Sequence, residues 1–144
     1  MPAFYTHFTF VKNNTNQDDK YTKIRALGGQ GPDVFFFYGY SLKKHKDKRE
    51  KRQFGSYIHH INISEAYSFL LEYASKQEES EMLFSYLKGL FMHYVMDRNC
   101  HPYIFYRTGF ADAETGTEED KKKYMNIHVN FESVMDTIIG KENK

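Results

Sequence analysis

Between residues 78 and 100 apolar side chains recur at intervals of three or four, at Leu83, Leu87, Leu90 and Tyr94, with Val95 beside the last. That period matches the 3.6 residues of a helical turn and predicts a helix with one face turned to a core. Its end is expected near Cys100, because Pro102 disfavours helical backbone at His101. A second stretch sets Ile61, Ala66, Leu70 and Tyr73 at helical spacing and predicts a helix from Ser64, its cap, to Lys76. A third runs from Glu119 to Ile139, where Tyr124, Ile127, Phe131, Val134, Met135 and Ile138 are expected to close the bundle. Upstream, Asp19 to Leu27 reads as a short helix ended by Gly28 and Gly29, and Pro32 opens another within PDVFFFYGY. A strand is disfavoured there, since no second segment of equal quality is present to pair with it. The expected fold is all-α, a single-domain helical bundle spanning residues 1–144.

Composition agrees with one core: 144 residues, 40% hydrophobic, with 12 Tyr, 13 Phe and no Trp. The formal charge of +1 gives no global field toward nucleic acid or anionic lipid, so electrostatic steering is left to local patches. Residues 43–53 are rich in Lys and Arg, residues 111–120 in Asp and Glu, and both are expected as exposed loops. The start lacks the pattern of an export signal and no apolar run is long enough to span a bilayer. A soluble, cytoplasmic protein is expected, in keeping with the lone Cys100, which cannot form an internal disulfide.

The candidate chemistry lies on these helices. His93 and Asp97 are four apart, about 6 Å along a helix axis, and His101 extends the same stripe by one turn. Asp97, with two oxygens, could bridge two ions on that stripe. His128 and Glu132 repeat the spacing on the last helix, and imidazole with carboxylate is a donor set that suits zinc. Either pair alone is also the spacing of an ordinary solvated ion pair, and it is their combination with His101 that favours a metal. His7, Asp33 and the adjacent His59 and His60 are further candidates. His45, inside the lysine-rich run, reads as a solvated residue, and Cys100 is expected to face the core beside the helix end rather than to ligate. Asp136, four after Glu132, could orient a ligand histidine or be a surface acid.

The order of motifs resembles the zinc-dependent phospholipase C family, particularly its short bacterial members. The resemblance rests on THxxF (Thr6, His7, Phe10), LGGQGPDVFFFY, GSYIH, HYVMDRNCHPYI and HVNFESVMD, with HxxxDxxxHPY the most diagnostic. It implies an all-helical bundle holding up to three zinc ions in a cleft and hydrolysing a phosphodiester. It also implies Asp33, His59, His93 and Asp97 around one zinc, His101, His128 and Glu132 around a second, and His7 with Asp97 at a third. His59 is preferred to His60 because Gly55 precedes it by four, the family spacing. In secreted relatives the processed N-terminal residue ligates the third ion, whereas His7 lies six positions after Met1, so two ions are expected and a third is left open.

The expected function is therefore phosphodiester hydrolysis by a metal-activated water, with Asp33 also orienting or deprotonating that water. The substrate would be a phosphodiester such as a phospholipid headgroup, with no stable nucleic-acid partner and no transmembrane segment. A zinc nuclease or small-molecule phosphodiesterase of the same superfamily, and a zinc-binding protein without turnover, are the alternatives.

Overall fold

The computed structural model describes residues 4–39, 46–109 and 116–142. His45, the start of the basic run, residues 111–115 of the acidic run and the N-terminal Met1 and Pro2 lie outside them. The described residues form α1 (Phe4–Asn13), α2 (Thr22–Gly28), a 3-10 turn (Gly31–Asp33), α3 (Val34–Phe37), α4 (Lys48–His60), α5 (Ile63–Ser75), α6 (Ser80–Thr108) and α7 (Glu118–Glu142), with no strand among them. The fold is all-α. Helix α6 is the central strut, with α1, α2, α5 and α7 packed along it, while α3 and the 3-10 turn lie against α4.

Several boundaries differ from the periodicity, each for a local reason. Helix α6 does not stop near Cys100 but continues through Pro102 to Thr108, where Gly109, at φ +65°, donates its N–H to the Phe105 carbonyl at 2.9 Å. Proline inside a helix costs about 3 kcal/mol. Here packing on both sides of it offsets that cost: His101 stacks on His128 with centroids 5.6 Å apart, and Tyr103 and Phe105 meet Phe131 and His128. Cys100 accordingly sits half-buried in mid-helix rather than at an end.

The cap of α5 is Asn62 rather than Ser64: its Oδ1 accepts from the Ser64 N–H at 3.1 Å and its amide donates to Glu65 at 3.0 Å. From Lys48 onward the basic run is helix α4 rather than a loop, as Lys, Arg, Glu and Gln are all good helix formers. Glu118, Glu119 and Asp120 likewise form the first turn of α7, where negative charge suits the helix dipole and Thr117 and Asp120 exchange hydrogen bonds. Helix α1 follows no apolar pattern noted in the sequence.

The largest departure concerns which face is inside. On α7 the fully buried residues are His128 and Glu132, whereas Val134 and Ile138 are 58% and 46% exposed. Among the described residues, Val11, Ala74 and Leu87 are the fully buried apolar side chains, while His7, Arg25, Asp33, Ser85, His93, Thr108, His128 and Glu132 are buried polar ones. The interior is thus largely polar, wrapped in half-buried rings such as the Phe4–Phe37 pair at 4.2 Å.

Two glycines allow α2 and α6 to cross almost backbone to backbone. A Cβ at Gly28 would strike the Tyr86 carbonyl, and one at Gly89 the Arg25 carbonyl. Ser85 reinforces the crossing with a 3.2 Å hydrogen bond to the Tyr21 carbonyl. Replacing Gly89 with Ala is expected to cost about 3 kcal/mol by forcing the helices apart. Gly140→Ala, whose added methyl would only touch the Tyr5 ring at 3.6 Å, is expected to be neutral or stabilising by up to about 1 kcal/mol. Chemical denaturation of both variants checks the contrast.

Candidate metal centre

Five histidines and three carboxylates from four helices and the 3-10 turn meet in the interior. Helix α1 delivers His7, the 3-10 turn Asp33, α4 His59, α6 His93, Asp97 and His101, and α7 His128 and Glu132. Their donor atoms fall into three groups, each within 4.8 Å: His7, Asp33 and His93; His59, His93 and Asp97; and His101, His128 and Glu132. His60 is not with them; it is exposed, its Nδ1 2.7 Å from the Ser56 carbonyl.

The carboxylates connect the groups. Asp33 places Oδ1 2.9 Å from His59 Nε2 and Oδ2 3.6 Å from His7 Nε2. Asp97 turns Oδ1 toward His7 Nε2 and Oδ2 toward His93 Nε2, both at 3.2 Å. Glu132 holds His128 Nε2 at 3.0 Å and His101 Nε2 at 3.5 Å through Oε1. His101 Nδ1, 3.8 Å from Asp97 Oδ1, brings the third group up against the other two.

Backbone carbonyls orient the rings. His59 Nδ1 lies 2.7 Å from the Gly55 carbonyl, His93 Nδ1 3.2 Å from Gly29 and His101 Nδ1 3.0 Å from Asp97. Each Nδ1 thereby donates outward and turns Nε2 toward the carboxylates, the orientation in which Nε2 becomes a metal ligand once it gives up its proton. Glycine is required where the chain approaches these rings. A Cβ at Gly31, itself at φ +55°, would lie 2.5 Å from the His93 ring, so the GGQG segment both ends α2 and seats this fully buried histidine.

Asp136 does not touch a histidine. It accepts hydrogen bonds from the backbone N–H of Tyr5 (3.0 Å) and Thr6 (2.7 Å) and from the Thr6 hydroxyl (2.6 Å), so it caps the helix that presents His7. Thr6 stood in the sequence beside His7, but no spacing rule could pair it with a residue 130 positions away.

The electrostatics follow from burial opposed by pairing. Burial would raise the Asp97 carboxyl, yet contacts with His7 and His93 outweigh it and hold it well below the ordinary range. Glu132, also buried, is brought down to about 2 by His101 and His128. Burial disfavours charge on His59, but its bonds to Asp33 and to the Gly55 carbonyl raise it overall. His101 is raised, chiefly by Glu132. Burial, with the field of Asp97, pushes Cys100 up, away from the thiolate a ligand would require.

A cation fits this arrangement. His93 Nε2, with no exposure, has no hydrogen-bond partner although Asp97 is close. A buried polar atom left so costs about 1–3 kcal/mol, and three gathered carboxylates carry charge that imidazoles alone offset incompletely. Imidazole nitrogen with carboxylate oxygen is a zinc-type donor set.

Residues 6–144 match the family model described as zinc dependent phospholipase C. The chain belongs to that family. The match extends over nearly the whole bundle, including all eight side chains of the cluster, and the family's description carries both zinc dependence and phosphodiester hydrolysis. Comparison with curated proteins and with solved structures gave no match. Among the described residues no helix is long and apolar enough to cross a membrane.

A metal must displace protons from His59 and His101, whose basicity is raised above the usual value of about 6.5. Zinc affinity is therefore expected to rise steadily between about pH 6 and about pH 8. Competition titrations with a chelator across that range check it; a flat profile would contradict the ligand role of these two rings.

Proposed function

We propose that the protein is a zinc-dependent hydrolase of phosphodiester bonds, acting on a phospholipid headgroup or a diester of similar chemistry. The observation that carries this reading is the convergence of three donor groups around shared carboxylates in a chain of the zinc-dependent phospholipase C family. Asp33, His59, His93 and Asp97 would hold one zinc, and His101, His128 and Glu132 a second. His7 with Asp97 would serve a third, supported by the 3.2 Å approach of His7 Nε2 to Asp97 Oδ1. The 2.9 Å contact of His59 with Asp33, and the exposure of His60, support the choice between the adjacent histidines.

Zinc bound there would polarise the phosphoryl oxygens and lower the pKa of water toward about 7. Asp33, 3% exposed and held between His59 and His7, is the carboxylate we assign to orient that water and accept its proton. Asp97 turns one oxygen to each of two histidines, so it would be the carboxylate shared between their ions. Tyr94 is raised to about 12 by burial and by Asp97 and Asp33, so its hydroxyl stays protonated and serves as a donor to the Ile58 carbonyl at 3.3 Å.

We read residues 1–144 as one domain, since α1 and α7 pack together and Asp136 ties the two ends of the chain. A reducing, cytoplasmic setting is the compartment that the single Cys100 suits.

The reading is tested by metal analysis of the purified protein joined to hydrolysis assays on a phosphatidylcholine analogue, single-stranded DNA and a generic phosphodiester. Zinc-dependent turnover of the lipid analogue or the generic diester is expected. Zinc bound without turnover of any would leave a structural metal, turnover confined to DNA a nuclease, and no bound zinc would overturn the site. Within the site, Asp97→Asn is expected to weaken zinc binding by roughly 10-fold or more relative to Asp136→Asn. The second variant loosens only the cap of α1 and should cost about 1 kcal/mol of stability. Equal zinc content in the two would refute the ordering.

A further inference from the structure

The cationic half of α4 takes no part in the metal cluster. Lys46, Lys48, Arg49, Arg52, Gln53 and Ser56 line one open groove along the first half of that helix. Lys46, Arg49 and Arg52 make no ion pair among the described residues, whereas Lys48 reaches the Gly39 carbonyl at 3.5 Å. Asp47, the acid beside them in sequence, is turned to the Tyr38 hydroxyl, 3.1 Å from both of its oxygens, and forms no ion pair with these cations. Glu50 is not among the lining residues.

Arg49 and Arg52 are three apart and Lys48 and Arg52 four, so like charges stand on one helical face and repel by some tenths of a kcal/mol per pair. In a chain of net charge +1 this concentration is local. Every lining side chain can donate a hydrogen bond: two guanidinium forks, two ammonium groups, a side-chain amide and a hydroxyl. Planar guanidinium forks beside ammonium groups match the several oxygens of a phosphate group. Among the described residues no aromatic ring lines the groove, so they offer no platform for stacking bases.

We propose that this groove is a second anion site, separate from the metal cluster, that binds a phosphate group. Arg52 is seven residues from His59, two turns away on the same face, about 10 Å along the axis at ~1.5 Å per residue. A phosphate held at Arg49 and Arg52 thus sits on the helix that supplies His59, a short distance from the metal cluster without reaching it. The ligand is either the headgroup phosphate of an anionic lipid beside the substrate or a free phosphate ester.

The test uses the zinc-loaded protein and the triple variant Lys46→Gln, Arg49→Gln, Arg52→Gln, with Lys51→Gln as a control that removes a charge from α4 outside the groove. Inorganic phosphate is titrated while the backbone amides of residues 46–56 are followed by nuclear magnetic resonance. Co-sedimentation compares vesicles of phosphatidylcholine with vesicles that also contain phosphatidylglycerol. The wild type and Lys51→Gln should show phosphate-induced shifts along residues 46–56 that the triple variant loses, with folding and zinc content unchanged. If the source is lipid, the triple variant should also lose vesicle binding by roughly 100-fold, about fivefold per cation. Shifts with no preference for phosphatidylglycerol would assign the site to a free phosphate ester. Absent shifts, shifts that survive in the triple variant, or tighter groove-dependent binding of single-stranded DNA would overturn the proposal. Turnover of a soluble diester, measured in parallel, reports on the hydrolytic reading separately, since the groove residues lie outside the metal cluster.

Discussion

Asp33, Asp97 and Glu132 are carboxylates placed in or at the edge of the interior, each within reach of at least two imidazoles, and the imidazoles beside Asp97 and Glu132 hold those two ionised. Removing such groups from water costs several kcal/mol apiece unless partners approach closely. Five histidines gathered around three acids meet part of that requirement, so the positions of α1, α4, α6 and α7 are constrained by the rings and carboxylates they must deliver. The same constraint explains why few apolar side chains are fully buried. The middle of the bundle is taken by the cluster, and hydrophobic contact is displaced outward to rings such as Phe36 against His59 and Phe105 against His128.

Two devices hold the delivery precise. The glycine crossing of α2 and α6 brings the Gly29 carbonyl to His93 and lets Gly31 pass over its ring without a clash. At the opposite side, Asp136 on α7 closes the first turn of α1, so the helix bearing Glu132 also fixes the helix bearing His7. Both act through backbone groups whose geometry is rigid, and rigidity is what a multi-ligand site requires if its donors are to point at a common centre. The basic first half of α4 stands apart from this arrangement: Lys46, Lys48, Arg49 and Arg52 line a groove of their own and none is among the clustered donors.

Much of the helix content was legible as spacing. Leu83, Leu87, Leu90 and Tyr94 do belong to one helix, and the four-residue steps from His93 to His101 and from His128 to Glu132 do share faces. Boundaries were less legible, because they depend on competition between local terms. Pro102 argued for an end at His101, but a missing N–H weighs less than the rings packed on both sides of it. The apolar stripe of α7 misled in another way: its periodicity was real, but the face turned inward was chosen by His128 and Glu132, whose partners are elsewhere in the chain.

What the sequence determined by itself was the type and spacing of the donors, the helices that carry most of them, and the order of motifs shared with the zinc-dependent phospholipase C family. Those are local properties, set by 3.6 residues per turn and by side-chain chemistry. The pairings of His7 with Asp97 and of Asp33 with His59 were carried in the sequence only as what the resemblance implies; the tertiary structure brings these side chains together, and it alone decided that Asp136 serves a helix end instead of a histidine. Those pairings join residues 26 to 131 positions apart or depend on which way a ring turns. No helical period encodes them, because they exist only once the close crossing of α2 and α6 and the capping of α1 have brought the helices together.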